Sequence, residues 1–285
     1  MEILTCPVCR ARLEADGGSY RCKRGHSFDC AASGYLHLLP ASQMHSKVPG
    51  DNKPMVAARR RFLTLGKYQP ISDGINRAVA DFLRKKAPKK PEGGYNILDV
   101  GCGEGYYTNR LAGHLAAEGI QAQVWGMDIS KYAVQAAAKT AQTQETGVRY
   151  GVASLFELPV KDHSCQVVLD LFAPVCTEEF HRVLKRGGLL VFAVSSTRHL
   201  WELKERIYDT PYENEKVDHE YEGFWFLGKE KVSYEMELPY QQEIDDLFTM
   251  TPYCYKSSVQ TVERLHSLGS LRTQVDVDLI FYQAI

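Results

Sequence analysis

A chain of 285 residues, 44% of them hydrophobic, is long enough for one large domain with its own core plus a small one. Its most apolar run, Gly187–Val194 (GGLLVFAV), has the length of a buried strand and is far short of a membrane span, which argues against a membrane partner. The net charge of −1 says nothing by itself, but residues 1–90 hold 17 Lys+Arg against 7 Asp+Glu, while the other 195 hold 17 against 28. A first third at +10 beside a remainder at −11 suggests that the first third meets a polyanion; solubility is the plainer reading. MEILTCPVC has neither the basic start nor the long apolar run of a signal peptide, so the expectation is a soluble, cytoplasmic protein.

Residues 6–26, CPVCRARLEADGGSYRCKRGH, set Cys6, Cys9, Cys22 and His26 at C-x2-C and C-x3-H spacing. Three thiolates and one imidazole complete a tetrahedral shell for zinc, with no position left for water, so the site is read as structural. Cys30, four residues beyond His26, competes as fourth ligand, and the more compact C-x3-H knuckle favours His26. The other five of the eight cysteines are scattered, which points to metal and free thiols rather than a disulfide framework. A forty-residue unit has little core, so the metal is expected to supply much of its folding free energy. Arg10, Arg12, Arg21, Lys23 and Arg24 lie between the ligands, as in an RNA-contacting module. Residues 1–40 are therefore read as a zinc-binding RNA-recognition domain, and 41–94 as linker and helices.

Residues 41–53 and Ala87–Gly94 read as linkers by composition. Between them, apolar residues at helical spacing predict one helix through Met55, Ala58, Phe62 and Leu65, and another through Ile71, Ile75, Val79 and Phe82. Gly66 and Pro70 separate the two. From Asn96 strands and helices alternate. Strands are expected at 96–100, 123–127, 148–152, 166–171 and 189–194, and helices at 106–118, 131–142, 178–184 and 200–208. Residues 209–222 read as irregular, and 232–238 and 275–282 as late, more exposed strands. Alternation of this kind implies an α/β fold, with a parallel sheet covered on both faces, over residues 95–285.

Asp99-Val-Gly101-Cys-Gly103-Glu-Gly105 runs out of a strand and into a helix, so its backbone can approach a ligand closely. A second strand ends at Asp128, whose carboxylate can accept both hydroxyls of a ribose. Cys102 reads as a spacer, and Asp99 as a ligand contact or a brace for the loop. The GxGxG spacing with its acidic partner resembles the class I (Rossmann-like) S-adenosylmethionine-dependent methyltransferases. Asp99, Gly101, Gly103, Glu104, Gly105 and Asp128 then become cofactor-binding candidates. Ala153-Ser154 matches the adenine-side loop of that superfamily, and Lys185-Arg-Gly-Gly188 its turn before the fifth strand. Asp170-Leu-Phe-Ala-Pro174 occupies the place where the superfamily keeps substrate and catalytic groups, and it lacks the Asn/Asp/Ser-Pro-Pro-aromatic motif of exocyclic-amine enzymes. Asp170 is read either as general base or guanine-edge acceptor, or as a cap on the strand end. Cys176 reads as packing.

Taken with the zinc knuckle, the whole chain resembles the RlmA family, the 23S ribosomal RNA guanine-N1 methyltransferases. The resemblance rests on His26-Ser-Phe-Asp29, Gly34-Tyr35, Pro49-Gly-Asp51, Ala58-Arg-Arg60, Tyr68-Gln-Pro70, the loop 99–108, Ala173-Pro174, Arg198-His-Leu200 and Met250-Thr-Pro252. It implies zinc on Cys6, Cys9, Cys22 and His26, and S-adenosylmethionine on Tyr68, Gly103, Glu104 and His199. The partner it implies is a 23S ribosomal RNA hairpin rather than DNA, with a homodimer left open. Arg59, Arg60 and Arg61 read as phosphate contacts, with a solvated helix face as the plainer reading for one or more of them. The rival readings are a small-molecule methyltransferase whose zinc knuckle is purely structural, and a non-catalytic RNA-binding protein that has kept the fold.

Overall fold

The computed structural model describes residues 3–44, 46, 49–88, 92–215, 220–255 and 257–285, so parts of the segments read as linkers and of 209–222 lie outside it. Strands β1 (Leu13–Asp16), β2 (Ser19–Cys22) and β3 (Ser27–Asp29) form a small antiparallel sheet, and β4 (Tyr35–His37) follows. Next come α1 (Lys53–Thr64), α2 (Gln69–Lys85), β5 (Tyr95–Val100), α3 (Tyr106–Ala117), β6 (Ala122–Asp128), α4 (Lys131–Gln144), β7 (Arg149–Val152) and β8 (Cys165–Leu171). The chain closes with α5 (Thr177–Val183), β9 (Leu184–Ser195), α6 (Trp201–Ile207), β10 (Phe224–Leu238), α7 (Gln241–Thr249), α8 (Val259–Leu265) and β11 (Leu271–Ala284).

Local chemistry sets several of these boundaries. The Asn52 side chain accepts from the Met55 amide at 3.1 Å and caps α1, and Ser130 does the same for α4 through Ala133 at 3.2 Å. Gly66, with φ +76°, ends the first helix in a left-handed turn before Pro70 starts the second.

The large sheet has the order β10-β11-β9-β8-β5-β6-β7-β4. The strands β9 through β4 run parallel, and β10 and β11 are antiparallel to their neighbours. This is the class I methyltransferase architecture with one strand added at the β7 edge. Successive connections move away from β5 in one direction and from β8 in the other. The loops after these two adjacent strands therefore diverge and leave a crevice at their carboxyl ends.

Three features differ from the sequence reading. Residues 275–282, expected to be exposed, lie in β11 between β9 and β10, with Val275, Val277, Leu279, Ile280 and Tyr282 buried; it is the edge strand β10 that faces solvent. Lys185–Gly188 is not a separate turn but the start of β9, where the pairing with β8 slips between Cys165 and Val167. Helices α7 and α8 carry no expectation from the sequence, because both are short and flanked by irregular chain.

The two faces of the sheet are covered differently. Helices α2, α3, α4, α6 and α7 bury one face. On the other, α5 shares the cover with the N-terminal segment, whose Ile3, Leu4, Leu13 and Leu38 join Leu158, Val160 and Phe180 in one core. Hydrogen bonds lock this in register: the Thr5 amide donates to the Pro159 carbonyl at 2.9 Å, the Lys161 amide to the Ile3 carbonyl at 2.8 Å, and the Arg10 guanidinium to the Leu158 carbonyl at 2.8 Å. Leu4 is fully enclosed, so Leu4→Ala should cost about 2–5 kcal/mol. A single urea transition at a lower midpoint is expected for the whole chain; a separate early transition would show that the N-terminal segment unfolds on its own.

Candidate functional site

Tight turns bring the metal-spaced residues together. Arg10, at φ +59°, bends the chain after Cys9, and Gly25 at φ +87° places His26 back against Cys22. One ligand atom from each of Cys6, Cys9, Cys22 and His26 lies within 4.8 Å of all the others. Cys6 Sγ and Cys22 Sγ each stand 3.4 Å from His26 Nδ1, and Cys9 Sγ stands 3.7 Å from Cys22 Sγ. A zinc tetrahedron requires edges of about 3.5 Å between sulfur and nitrogen and about 3.8 Å between sulfurs. The four side chains fit that ion, with Nδ1 as the imidazole donor, and Cys30 is outside the cluster.

The crevice at the ends of β5 and β8 opens into a cavity of about 680 Å³. Gly101 and Gly103 form part of its wall, at φ +70° and +55°, a conformation that side chains other than glycine rarely adopt. A Cβ on Gly101 would stand 2.5 Å from the Ala173 Cβ, so the glycine loop and the turn after β8 touch. Gly105 caps α3 at φ +84° behind the wall, where a Cβ would meet the Tyr150 hydroxyl at 2.6 Å.

Asp128 joins the two loops. Its carboxylate accepts the Gly103 amide at 2.9 Å and the Ser130 amide at 2.7 Å, which leaves lone pairs for hydroxyl donors in the cavity. Ser130 Oγ donates to the Asp51 carbonyl at 2.6 Å, the Asp51 carboxylate receives Arg59 at 2.8 Å, and Arg59 also donates to the Met250 carbonyl at 2.8 Å. Asp51, Arg59 and Met250 all line the cavity. Sequence reasoning missed this string, since it read Arg59 as a phosphate contact, and nothing in the sequence pairs 51 with 59 or 250.

Glu104 also lines the cavity, buried, with Oε1 unpartnered. Burial raises its carboxyl, and the Arg59 and Arg60 charges oppose that rise. Tyr68 and His199 meet at the inner end, Oη to Nε2 at 3.3 Å. Burial lowers His199 to about 4, so the ring is neutral at physiological pH. Its Nδ1 accepts the Asp276 amide at 3.1 Å, which puts the proton on Nε2 and makes Tyr68 Oη the acceptor. The phenolic proton of Tyr68 is thereby left for a cavity ligand. Ser154 lines the far wall.

Asp99 and Asp170 are not on the wall. Asp99 sits behind the loop, bonded to the Thr108 hydroxyl at 2.5 Å, and burial pushes it up to about 7. Asp170 is 1% exposed, accepts the Ala173 amide at 3.3 Å through Oδ1, and leaves Oδ2 unpartnered. Burial pushes it up to about 8. The wall begins one residue later, at Leu171, and runs to Pro174. The sequence-derived candidates thus divide. Tyr68, Gly101, Gly103, Glu104, Asp128, Ser154 and His199 share one cavity; Asp99, Gly105 and Asp170 stand behind it.

Among the described residues no helix is long and apolar enough to cross a membrane. Residues 4–47 match the family profile described as RlmA, N-terminal, and residues 91–250 match a methyltransferase domain profile. The chain is 31% identical over 287 residues, covering 96% of itself and 95% of its relative, to the protein of Bacillus subtilis (strain 168) named "Putative 23S rRNA (guanine-N(1)-)-methyltransferase YxjB". It is 32% identical over 206 residues, 72% of this chain and 67% of the relative, to the 23S rRNA (guanine(748)-N(1))-methyltransferase of Streptomyces fradiae.

Removal of metal should destabilise the chain, because three cysteines and a histidine gathered within 4.8 Å of one another would lose the ion that their spacing fits. A chelator is expected to lower the thermal midpoint and release about one zinc per chain in a colorimetric assay; release without loss of stability would refute a structural role. The folded chain holds the Asp170 proton up to about pH 8, whereas the ordinary carboxyl loses it near 3.8. The native state therefore binds more protons at this group through that window, and its contribution to stability falls as pH rises through it. Asp170→Asn should flatten this fall: its midpoint relative to wild type should rise between about pH 4.5 and about pH 8.5, and parallel curves would refute the assignment.

Proposed function

This chain belongs to the RlmA family of 23S ribosomal RNA (guanine-N1) methyltransferases, and we propose that it methylates N1 of a guanine in a hairpin loop of that RNA. The observation that carries the reading is end-to-end similarity to such an enzyme, together with a zinc-ligand cluster and a cofactor-sized cavity on one body.

S-adenosylmethionine supplies an electrophilic methyl group. Asp128 is the acceptor for its ribose hydroxyls, and Ser154 stands on the adenine side. The unpartnered Glu104 Oε1 is the acceptor for its ammonium group, and Tyr68, held by His199, donates from the inner end. The glycine loop lets backbone stand against the ligand where a side chain would clash.

Guanine N1 carries a proton at neutral pH, and the base must pass it to solvent water as the methyl arrives. The carboxylates on the cavity wall are spoken for: Asp51 by Arg59, Asp128 by two amides and Glu104 by the cofactor end. The chain's contribution to rate is chiefly positioning of a base drawn out of its loop. Asp170 then acts on the turn that carries the wall, through Ala173, rather than on the proton.

Lys23, Arg24 and Arg60 are exposed and make no ion pair among the described residues, which suits them to phosphate. Arg59 and Arg61 are committed to Asp51 and Asp246.

Incubation with labelled S-adenosylmethionine and undermethylated 23S ribosomal RNA should place one methyl group on N1 of one guanine. Methylation of small molecules without RNA, or no cofactor binding, would favour the rivals. In the same assay Asp170→Asn should retain at least about a tenth of turnover; a loss beyond about a hundredfold with folding intact would return Asp170 to the role of base.

A further inference from the structure

Phe172 breaks two rules at once. Its backbone is left-handed, at φ +60°, where a bulky side chain other than glycine is rare, and its ring is 40% exposed. Neither feature arises from a loose loop. The Phe172 amide donates to the Ala193 carbonyl at 2.9 Å, which continues the ladder of β8 on β9. Ala173, the next residue, is pressed against Gly101 so closely that a Cβ there would overlap it. The chain is held on both sides of Phe172, and the left-handed turn points the ring into the cavity wall instead of into the sheet. Tyr107, at the start of α3, supports it, with ring centroids 6.2 Å apart and planes tilted by 42°.

Strain combined with an exposed apolar ring weakens a fold that gains nothing from either, so the return must lie in what the ring touches when the cavity is filled. The ring stands on the turn that abuts Gly101, lining the cavity while still open to solvent. A planar, aromatic partner suits it. We propose that Phe172 is the stacking platform on which the target guanine lies when it enters the cavity, and that its left-handed backbone exists to present that face. This rests on the function proposed above and adds the residue that seats the base.

The test uses the full chain with undermethylated 23S ribosomal RNA, with cofactor affinity measured separately by calorimetry. Phe172→Leu keeps an apolar side chain but removes the π-face; kcat/KM for RNA should fall about ten- to a hundredfold while cofactor affinity stays at the wild-type value. Phe172→Trp should restore most of the loss. Phe172→Gly removes both strain and exposed ring, so its thermal midpoint should equal or exceed that of wild type while its RNA methylation falls as far as that of the leucine variant. Wild-type kcat/KM in Phe172→Leu would overturn the platform, as would a lowered midpoint in Phe172→Gly, because the ring would then be a packing element. If wild-type protein labels the RNA, such a result removes this inference alone; if it does not, the function proposed above falls and takes the platform with it.

Discussion

The Asp128 carboxylate is the constraint on which the cavity depends. It receives amides from the glycine loop after β5 and from the cap of α4, and so ties together the ends of two adjacent parallel strands. The tie continues through Ser130 to Asp51, from Asp51 to Arg59 on α1, and from Arg59 to Met250 after α7. Segments far apart in sequence, at 51, 59, 103, 128 and 250, are thus joined by one polar string around one space. Each link is at least partly shielded from water, where hydrogen bonds to charged groups are stronger and broken ones more costly. The cavity's shape is therefore a property of the string as a whole.

A second constraint links the metal cluster to that cavity. The N-terminal segment does not hang from the catalytic body. Its first residues pair with 159–161, its apolar side chains complete the core under one sheet face, and β4 extends the sheet beyond β7. Arg182 holds the receiving segment in place, donating to the carbonyls of Leu158 and Val160 while paired with Glu179 and Asp162. The metal-ligand cluster is thereby fixed in orientation relative to the crevice, which a module on a flexible linker would not be. An RNA gripped by Lys23 and Arg24 would be presented at a set distance and angle.

Much of this was legible in the residues themselves. The alternating strands, the glycine loop, Asp128 and the four metal ligands follow from period and spacing, because each is a local pattern of chemistry. Tyr68 and His199 were not legible that way: a tyrosine before a helix and a histidine after a strand become a donor relay only when 131 residues of chain bring them to 3.3 Å, and only the family resemblance singled them out. The exposure of 275–282 was misread because alternation cannot tell an interior antiparallel strand from an edge one; that depends on which neighbours arrive. Arg59 was misread for a like reason, since a run of three arginines on a helix does not say which one turns inward. The segment Asp170–Pro174 was placed at the substrate end from sequence, but the left-handed backbone of Phe172 was not legible, because it comes from a turn packed against Gly101 in the loop after β5.

The acidity of the site follows from the same architecture. Asp99, Glu104, Asp128 and Asp170 all belong to the loops and strand ends around one crevice, and burial raises every one of them. Arg59 is the cation of the cavity wall, and it is bound to Asp51. Asp170, pushed up to about 8, keeps its proton near neutral pH, so the negative charge that favours a sulfonium and its ammonium group is that of Glu104 and Asp128 on the cavity wall. Loss of the sulfonium charge on methyl transfer removes part of that attraction, and a neutral thioether product is held less tightly than the cofactor by this term. The basic N-terminal segment and the acidic crevice are therefore complementary parts of one design: the first attracts a polyanion to the surface, and the second keeps phosphate out of the place where only a base should enter.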